Sequence, residues 1–335
     1  MKSQYAAELT EGSRVDAAFA IRAKEMRMAR TGDAYLSLEL ADRTGQIPGV
    51  WFRPAADSIS IPTGSVATVR GTVTRFRGAK RISIDSLRIA EVWDSADLVA
   101  GGPRDESELV ASFKELVASV TDAGLGSILR SVFGDREFLA RFRTCPGSQS
   151  YHHAYLGGLL EHTVAVAQLC RVLGAAYAHA DTDLLVTAAL LHDIGKVDEL
   201  DFGTSIEYTS EGRLLGHVVL GMRRVQDAVR SGRVRLSDDA LARLEHAVLS
   251  HHGELEWGSP KRPATLEALL LHHADNLDAK AAGFCSATVG ASMAEEVWTD
   301  ASNLFRRPLY APRAAEDDRH AISAEEDAQY FRATA

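Results

Sequence analysis

The sequence predicts a multidomain chain, a small all-β barrel followed by an all-α helical bundle. Three observations carry this. Residues 14–93 alternate apolar and polar side chains at period two between closely spaced turn signals, the pattern of short strands. From residue 105 to residue 300 the apolar residues recur instead at helical spacing. Histidine is confined to that second region: eleven of the 12 lie between His152 and His273, and residues 1–151 contain none.

The elements follow in order. Residues 1–13 are read as an N-terminal tail and residues 14–95 as the barrel. "AYLSLELAD" and "GSVATVRGTVTRF" alternate at period two, and "DRTGQ", "PTG" and "RGAK" supply turns. Short, closely spaced strands favour closure into a barrel. "VAGGPRDESEL" breaks the pattern, and Ser107 is the expected cap of a helix through "LVASFKELVASV" with Val110, Phe113 and Leu116 on one face. Residues 96–146 are read as a helical linker ending at Pro146–Gly147. Residues 147–312 form the main helical domain. Residues 313–335 are a polar, acidic C-terminal tail.

Composition limits what such a chain can be. Its 46% apolar and 25% charged residues are those of a soluble globular protein. The N-terminus has no signal-type apolar core, and no apolar run approaches the roughly 20 residues of a membrane span. These features predict a cytoplasmic protein without a membrane partner. Cys145, Cys170 and Cys285 are odd in number and far apart, which predicts free thiols and no disulfide framework. The net charge is −9, yet residues 1–95 hold 14 Lys/Arg against 11 Asp/Glu. A mildly basic front domain on an acidic chain leaves a polyanion-binding surface there.

The histidines fall on successive helical segments. "GGLLEHTVAVAQL" places His162 on an apolar helix, and "DLLVTAALLHDIGK" ends another with His192 and Asp193. "GRLLGHVVLG" carries His217, "AVLSHHGELEWG" carries His251 and His252, and "LLLHHADNLDAK" carries His272, His273, Asp275 and Asp278. His179, His246, His272 and His320 are left as packing or surface residues. Burying so many polar groups without partners costs several kcal/mol each, by rough estimate. Shared cations remove that cost, and helices of a bundle are a known source of such ligands. His162, His192, Asp193 and Asp275 are the candidate ligands of one ion. His217, His251 and His252 are those of a second, with Asp193 bridging. Imidazole and carboxylate donors without thiolate suit two divalent ions drawn from manganese, iron, zinc or cobalt, rather than calcium alone. Two metals about 3.5–4 Å apart suit hydrolysis of phosphate esters. Lys196, one turn beyond His192, reads either as a catalytic contact to phosphate or as a solvated helix-end lysine. Gly195 leaves room for a backbone to approach a ligand.

His162, the pair His192–Asp193 and Asp275 resemble the HD superfamily of metal-dependent phosphohydrolases. The additional His217 and the histidine pair at 251–252 are similar to its two-metal branch. "HHGELEWGSPK" stands where the HD-GYP phosphodiesterases carry Gly-Tyr-Pro, which turns the reading away from cyclic dinucleotides. "SYHHAYLGGLLEHTVAVAQL", "LLHDIGK", "SHHGELEWGSPKRPATLEALLLHHADNLDAK" and "NLFRRPLY" together resemble the YhaM-type 3′→5′ exoribonucleases. That resemblance implies an N-terminal OB-fold ahead of the HD domain. It also implies Mn²⁺-dependent release of nucleoside 5′-monophosphates from single-stranded RNA, with single-stranded DNA as a second substrate and a homo-oligomer as a further expectation. It assigns His152, His153 and Tyr155 to the substrate path. Glu161, next to His162, reads either as a group that orients a ligand or as one that faces solvent. Gly157 and Gly158 read either as room for an approaching strand or as a tightly packed helix entry.

An OB-fold grips single strands with a basic groove and aromatic platforms. Tyr35, Trp51, Phe52, Arg53, Arg75, Phe76, Arg77, Lys80 and Arg81 are the candidates, with the alternating Arg75–Phe76–Arg77 and Lys80–Arg81 singled out as substrate contacts. Two rival functions remain: an HD phosphodiesterase acting on a free or cyclic nucleotide, and a binding protein without catalysis.

Overall fold

The fold is seen in a computed structural model that describes residues 2–28, 32–52, 54, 61–76, 78–232, 234–293 and 297–311, with side chains left aside at 290–293. Five strands, β1 (Arg14–Met28), β2 (Ala34–Asp42), β3 (Gly45–Phe52), β4 (Val66–Phe76) and β5 (Ala79–Ile89), close a barrel in the order β1-β2-β3-β5-β4. Four of the five pairings are antiparallel, and a short parallel contact of Gly49 with Ile82 joins β3 to β5. The alternation does what it predicts: Leu36, Leu38 and Leu40 of β2 point into the barrel core with Phe19, Ile21, Val69 and Ile82. At Gly71 a Cβ would collide with the Ser83 carbonyl, so the β4–β5 register shift between Arg70 and Gly71 requires glycine.

The segment expected as a tail is part of this domain. Ala6 and Leu9 lie in the barrel core. Lys2 Nζ sits 2.5 Å from Asp42 Oδ2, with both side chains buried, and Tyr5 donates to Asp97 Oδ1 at 2.6 Å. A single 3-10 turn at Ala6–Glu8 is too short to leave a periodic signal.

The helical region comprises α1 (Glu106–Ser119), α2 (Ala123–Phe133), α3 (Arg136–Thr144), α4 (Gly158–Ala176), α5 (Thr182–Leu191), α6 (Lys196–Glu199), α7 (Ser210–Arg230), α8 (Asp238–Ser250) and α9 (Leu266–Met293). A two-stranded ribbon, β6 (Leu200–Asp201) with β7 (Glu207–Tyr208), interrupts it. The cap of α1 is Asp105, not Ser107: its carboxylate accepts from the backbone N–H groups of Ser107 and Glu108. Ser107 lies inside the first turn and donates its own hydroxyl to Asp105. Leu109, Phe113 and Leu116 form the buried face of α1, with Val110 at its margin. Residues 96–146 are more than a linker. Phe113, Phe133, Phe138 and Phe142 stack with centroids 4.9–6.2 Å apart. They share one core with Leu159, Leu185, Ile194 and Leu271.

Helix α4 corrects the expectation about apolar runs, since its 19 residues are long and apolar enough to cross a membrane by length and composition. Its buried face instead joins the protein core, and it carries Glu161, His162 and Arg171. By compactness the chain divides into two units, Met1–Ala279 and Lys280–Ala335, with the division inside α9. The second unit holds "NLFRRPLY", where Trp298 bridges Tyr310 and Phe284 packs on Phe305. The acidic tail at 313–335 lies outside the described residues. Cys145, Cys170 and Cys285 are free thiols, the first two buried.

Candidate metal centre

Each candidate side chain is delivered by a helix end or a buried helix face. His162 lies one turn into α4 and is fully buried. His192 caps the C-terminus of α5, with Asp193 in the turn before α6. His217 follows Gly216, whose φ of 74° and ψ of 158° break α7. Glycine alone adopts that conformation at low cost. His251 caps the C-terminus of α8 with His252 next, and Asp275 and Asp278 lie one turn apart on α9.

These residues converge around Asp193. On one side, Asp193 Oδ2 lies 3.4 Å from both His162 Nε2 and His192 Nε2. Asp275 Oδ1 lies 3.2 Å from His162 Nε2 and 3.9 Å from His192 Nε2. On the other side, Asp193 Oδ1 lies 3.4 Å from His217 Nε2 and 3.6 Å from His251 Nε2. His252 Nε2 completes that side, 3.2 Å from His217 Nε2. The two oxygens of one carboxylate thus face two separate groups of imidazoles.

The tautomers follow from the outer nitrogens. His192 Nδ1 donates to the Ala189 carbonyl at 2.7 Å, His251 Nδ1 to the Val248 carbonyl at 2.6 Å and His252 Nδ1 to the Trp257 carbonyl at 2.9 Å. His162 Nδ1 donates to Asp278 Oδ2 at 2.7 Å, and His217 Nδ1 to Glu199 Oε1 at 3.1 Å. A carbonyl or a carboxylate can only accept, so each Nδ1 carries a proton and each Nε2 faces inward, with its lone pair free to bind a cation wherever Nε2 holds no proton of its own. His162 Nε2 and His192 Nε2 stand 3.2 Å apart, as do those of His217 and His252. Two lone pairs at that distance repel unless a proton or cation lies between them. Asp193 Oδ1 and His251 Nε2 are buried without a hydrogen-bond partner. Orphaned buried atoms, inward lone pairs and a donor set of imidazole and carboxylate fit divalent cations.

Electrostatics point the same way. Burial favours neutral His162, but Asp193, Asp275 and Asp278 override it and hold its pKa well above the ordinary value. Burial would raise Asp193, yet Lys196 and His192 hold it well below the carboxylate range. Burial and the neighbouring His252 and His192 push His251 well down, and burial with His217 lowers His252. Both stay neutral and available as ligands into acid.

Lys196 is not a solvated helix end. It is buried, with Nζ 2.6 Å from Asp193 Oδ2, and that carboxylate outweighs burial to raise its pKa. Together with His152, Asp193, His252, Trp257, His272, Asp275, Asn276 and Ala279 it lines a cleft of about 210 Å³ over the centre. His152 is held near pKa 4, by burial and then by Lys196 and His162. His153 and Tyr155 lie behind the candidate metal ligands: His153 Nε2 meets Asp278 Oδ2 at 3.0 Å, and Tyr155 OH joins His153 Nδ1 to Glu161 Oε2, both at 2.8 Å. Among the described residues, Glu161 connects to His162 through that chain and Asp278. The glycines serve packing. A Cβ at Gly195 would collide with the His217 carbonyl of α7, and one at Gly158 with the His153 carbonyl. Gly157, at φ 82°, caps α4.

Glu199 and Asp278 take larger parts than the sequence suggested, as acceptors that orient His217 and His162. His272, left as a packing residue, donates to the His251 carbonyl at 2.9 Å. On the barrel, Arg75 pairs with Glu11 at 3.1 Å, Lys80 donates to the Leu9 carbonyl at 2.8 Å, and the Arg81 guanidinium lies 4.4 Å over the Phe76 ring. Trp51 is core, while Tyr35 and the exposed Phe52 pair at 5.4 Å across β2 and β3. Arg53 and Arg77 lie outside the described residues.

Comparison with known proteins places these parts in a family. Residues 159–280 match the HD domain, and residues 19–90 match an OB-fold nucleic acid binding domain. The 3′-5′ exoribonuclease YhaM of Geobacillus sp. (strain WCH70) is 33% identical over 274 residues, 80% of this chain and 83% of that protein. The chain belongs to the YhaM family of 3′-5′ exoribonucleases. The YhaM of Bacillus subtilis (strain 168) is 30% identical over 273 residues, 80% of this chain and 86% of that protein. A solved structure, the second OB-fold domain of replication protein A from Methanococcus maripaludis, is 26% identical; it covers 28% of this chain and 98% of its own, with a TM-score of 0.24. In this YhaM-family chain the HD match spans every candidate ligand, from His162 to Asp275.

Proposed function

We infer that this chain is a metal-dependent 3′→5′ exoribonuclease that removes nucleoside 5′-monophosphates stepwise from single-stranded RNA in the cytoplasm. The observation that carries the reading is Asp193, whose two oxygens face two imidazole groups in a YhaM-family chain with an OB-fold at its front. His162, His192, Asp193 and Asp275 would hold one divalent cation, and His217, His251, His252 and Asp193 a second. Such ions, when bound, acidify water and neutralise charge on phosphate oxygens. Manganese is the proposed metal on the resemblance to the YhaM-type exoribonucleases; the imidazole and carboxylate donors disfavour calcium, which asks for oxygen alone, and suit iron, cobalt and zinc as well.

The chain's own residues do the rest. Lys196 stays protonated beside Asp193 and turns its remaining N–H bonds to a non-bridging phosphate oxygen in the cleft. Neutral His152 borders the same space. Tyr35 with Phe52, and Phe76 with Arg81, offer stacking surfaces on the barrel, where single-stranded DNA would also bind. Cys145 and Cys170 are buried with their pKa pushed up, which suits them poorly as nucleophiles.

The test incubates the protein and its Asp193→Ala variant with 3′-tailed RNA and Mn²⁺ and resolves products by length. A ladder shortening from the 3′ end to 5′-monophosphates, absent in the variant, supports the reading. Intact RNA under conditions where a small nucleotide ester is hydrolysed moves it to a free- or cyclic-nucleotide phosphodiesterase. Full activity in Asp193→Ala refutes both.

A further inference from the structure

We propose that Trp257 and Asn276 form a subsite for the 3′-terminal nucleoside, in which the indole stacks on the base and the carboxamide bonds the ribose 2′-hydroxyl. The proposal rests on the exonuclease reading above and adds the groups that recognise the leaving residue.

Trp257 ends a one-turn 3-10 helix, Leu255–Trp257, closed by Gly258 at φ 86°. Its main chain and its ring are both tied to the metal centre. The carbonyl accepts from His252 Nδ1 at 2.9 Å, and the indole packs 5.9 Å from the His272 imidazole, which itself donates to the His251 carbonyl. The ring nevertheless remains 54% exposed and lines the cleft that also contains Asp193, Lys196 and Asp275. A large aromatic face held at fixed height beside a phosphate-handling centre is a stacking platform, and stacking tolerates any base. An exonuclease that must accept every 3′ end needs that tolerance.

Asn276 follows the candidate ligand Asp275 on α9 and lines the same cleft. Among the described residues its carboxamide has no hydrogen-bond partner. An amide offers both donor and acceptor to a hydroxyl, and the 2′-hydroxyl is the group by which RNA differs from DNA. The cleft, about 210 Å³, lies below the range of roughly 300–1,000 Å³ for drug-sized ligands, so it takes one chain end and not a stack of nucleotides.

The experiment compares RNA oligomers ending in an ordinary nucleotide, an abasic ribose or a 2′-deoxynucleotide, in Mn²⁺, for wild type, Trp257→Ala, Trp257→Phe and Asn276→Ala. Wild type prefers the base-bearing end. Trp257→Ala raises KM on that end by roughly ten- to a hundred-fold with kcat within a few-fold, the loss expected for one stacked base. It leaves the abasic end unchanged, and Trp257→Phe restores most of the preference. Asn276→Ala narrows the ribose-over-deoxyribose preference about tenfold. Equal loss on base-bearing and abasic ends, or a matching fall in Mn²⁺ affinity, overturns the stacking role and makes Trp257 a support for His252. An unchanged sugar preference in Asn276→Ala overturns the hydroxyl contact. A wild type that shortens none of the three oligomers refutes the exonuclease reading itself, and the subsite falls with it. A wild type that shortens all three equally refutes the subsite alone.

Discussion

Replacing Asp278 with Asn isolates what the carboxylate behind His162 contributes. Asp278 Oδ2 accepts from His162 Nδ1 at 2.7 Å and from His153 Nε2 at 3.0 Å. Although burial opposes it, these bonds hold its pKa well below the carboxylate range, so the group is charged at neutral pH. Asparagine keeps the shape and one accepting oxygen and removes the charge. The fold loses little, about 1 kcal/mol, because a neutral hydrogen bond replaces a charge-assisted one. The metal loses more. A carboxylate on the outer nitrogen fixes the ring and makes Nε2 more basic, and removing such a partner typically costs about 10–100-fold in metal affinity. That range equals about 1.4–2.8 kcal/mol. The assay follows RNA shortening against Mn²⁺ concentration, with calorimetry as a direct measure of binding. Half-saturation in Asp278→Asn should move up 10- to 100-fold, by the same rough estimate, and kcat at saturating Mn²⁺ should return to within a few-fold of wild type. An unchanged half-saturation with a depressed kcat would refute the argument, because Asp278 would then act on the substrate and not through His162.

Three further outcomes follow from the same geometry. The pKa of His162 is raised in the metal-free protein, so a bound cation must displace its proton; apparent affinity rises with pH until that pKa is passed, and calorimetry in two buffers should register about one proton released. Heats independent of buffer would contradict this. Gly216→Ala forces a side chain into a conformation costing about 1–3 kcal/mol, which should lower Tm and weaken binding at the His217 side more than at the His162 side, read by metal stoichiometry. Asp42→Ala strands the buried Lys2 charge at a cost of about 3–5 kcal/mol. Asp42 has a depressed pKa in the fold, so its contribution is present at neutral pH and is lost as pH falls through that value; the gap in urea stability between variant and wild type should close in acid.

Much of the centre was legible because burial makes polar residues conspicuous. A His-Asp pair after "DLLVTAALL" stands out in any apolar helix, and His162, His217 and the pair at 251–252 stand out for the same reason. The acceptors behind them do not. Glu199 serves His217 from 18 positions away, and Asp278 serves His162 from 116 positions away. One looks like an ordinary helix-end acid and the other like an ordinary mid-helix acid until the helices are packed. Ser107 misled because two candidate caps stand two residues apart, and only the backbone decides which lies outside the first turn. Lys2, Ala6 and Leu9 were missed because one short 3-10 turn carries no period.

The sequence by itself determined the division into a strand-period front and a helix-period back, and the residue types gathered at the centre. Both are properties of local pattern: side-chain periodicity selects secondary structure, and an apolar context marks a polar residue as purposeful. Tertiary structure alone decided which nitrogen of each imidazole faces inward, that the two oxygens of Asp193 face different groups, and that Lys196 is buried against it. The bonds that orient His192, His251 and His252 span only 3–5 positions, but those from His162 to Asp278 and from His217 to Glu199 span 116 and 18. The longer bonds exist only after the apolar faces of α4, α5, α7, α8 and α9 have been buried against one another.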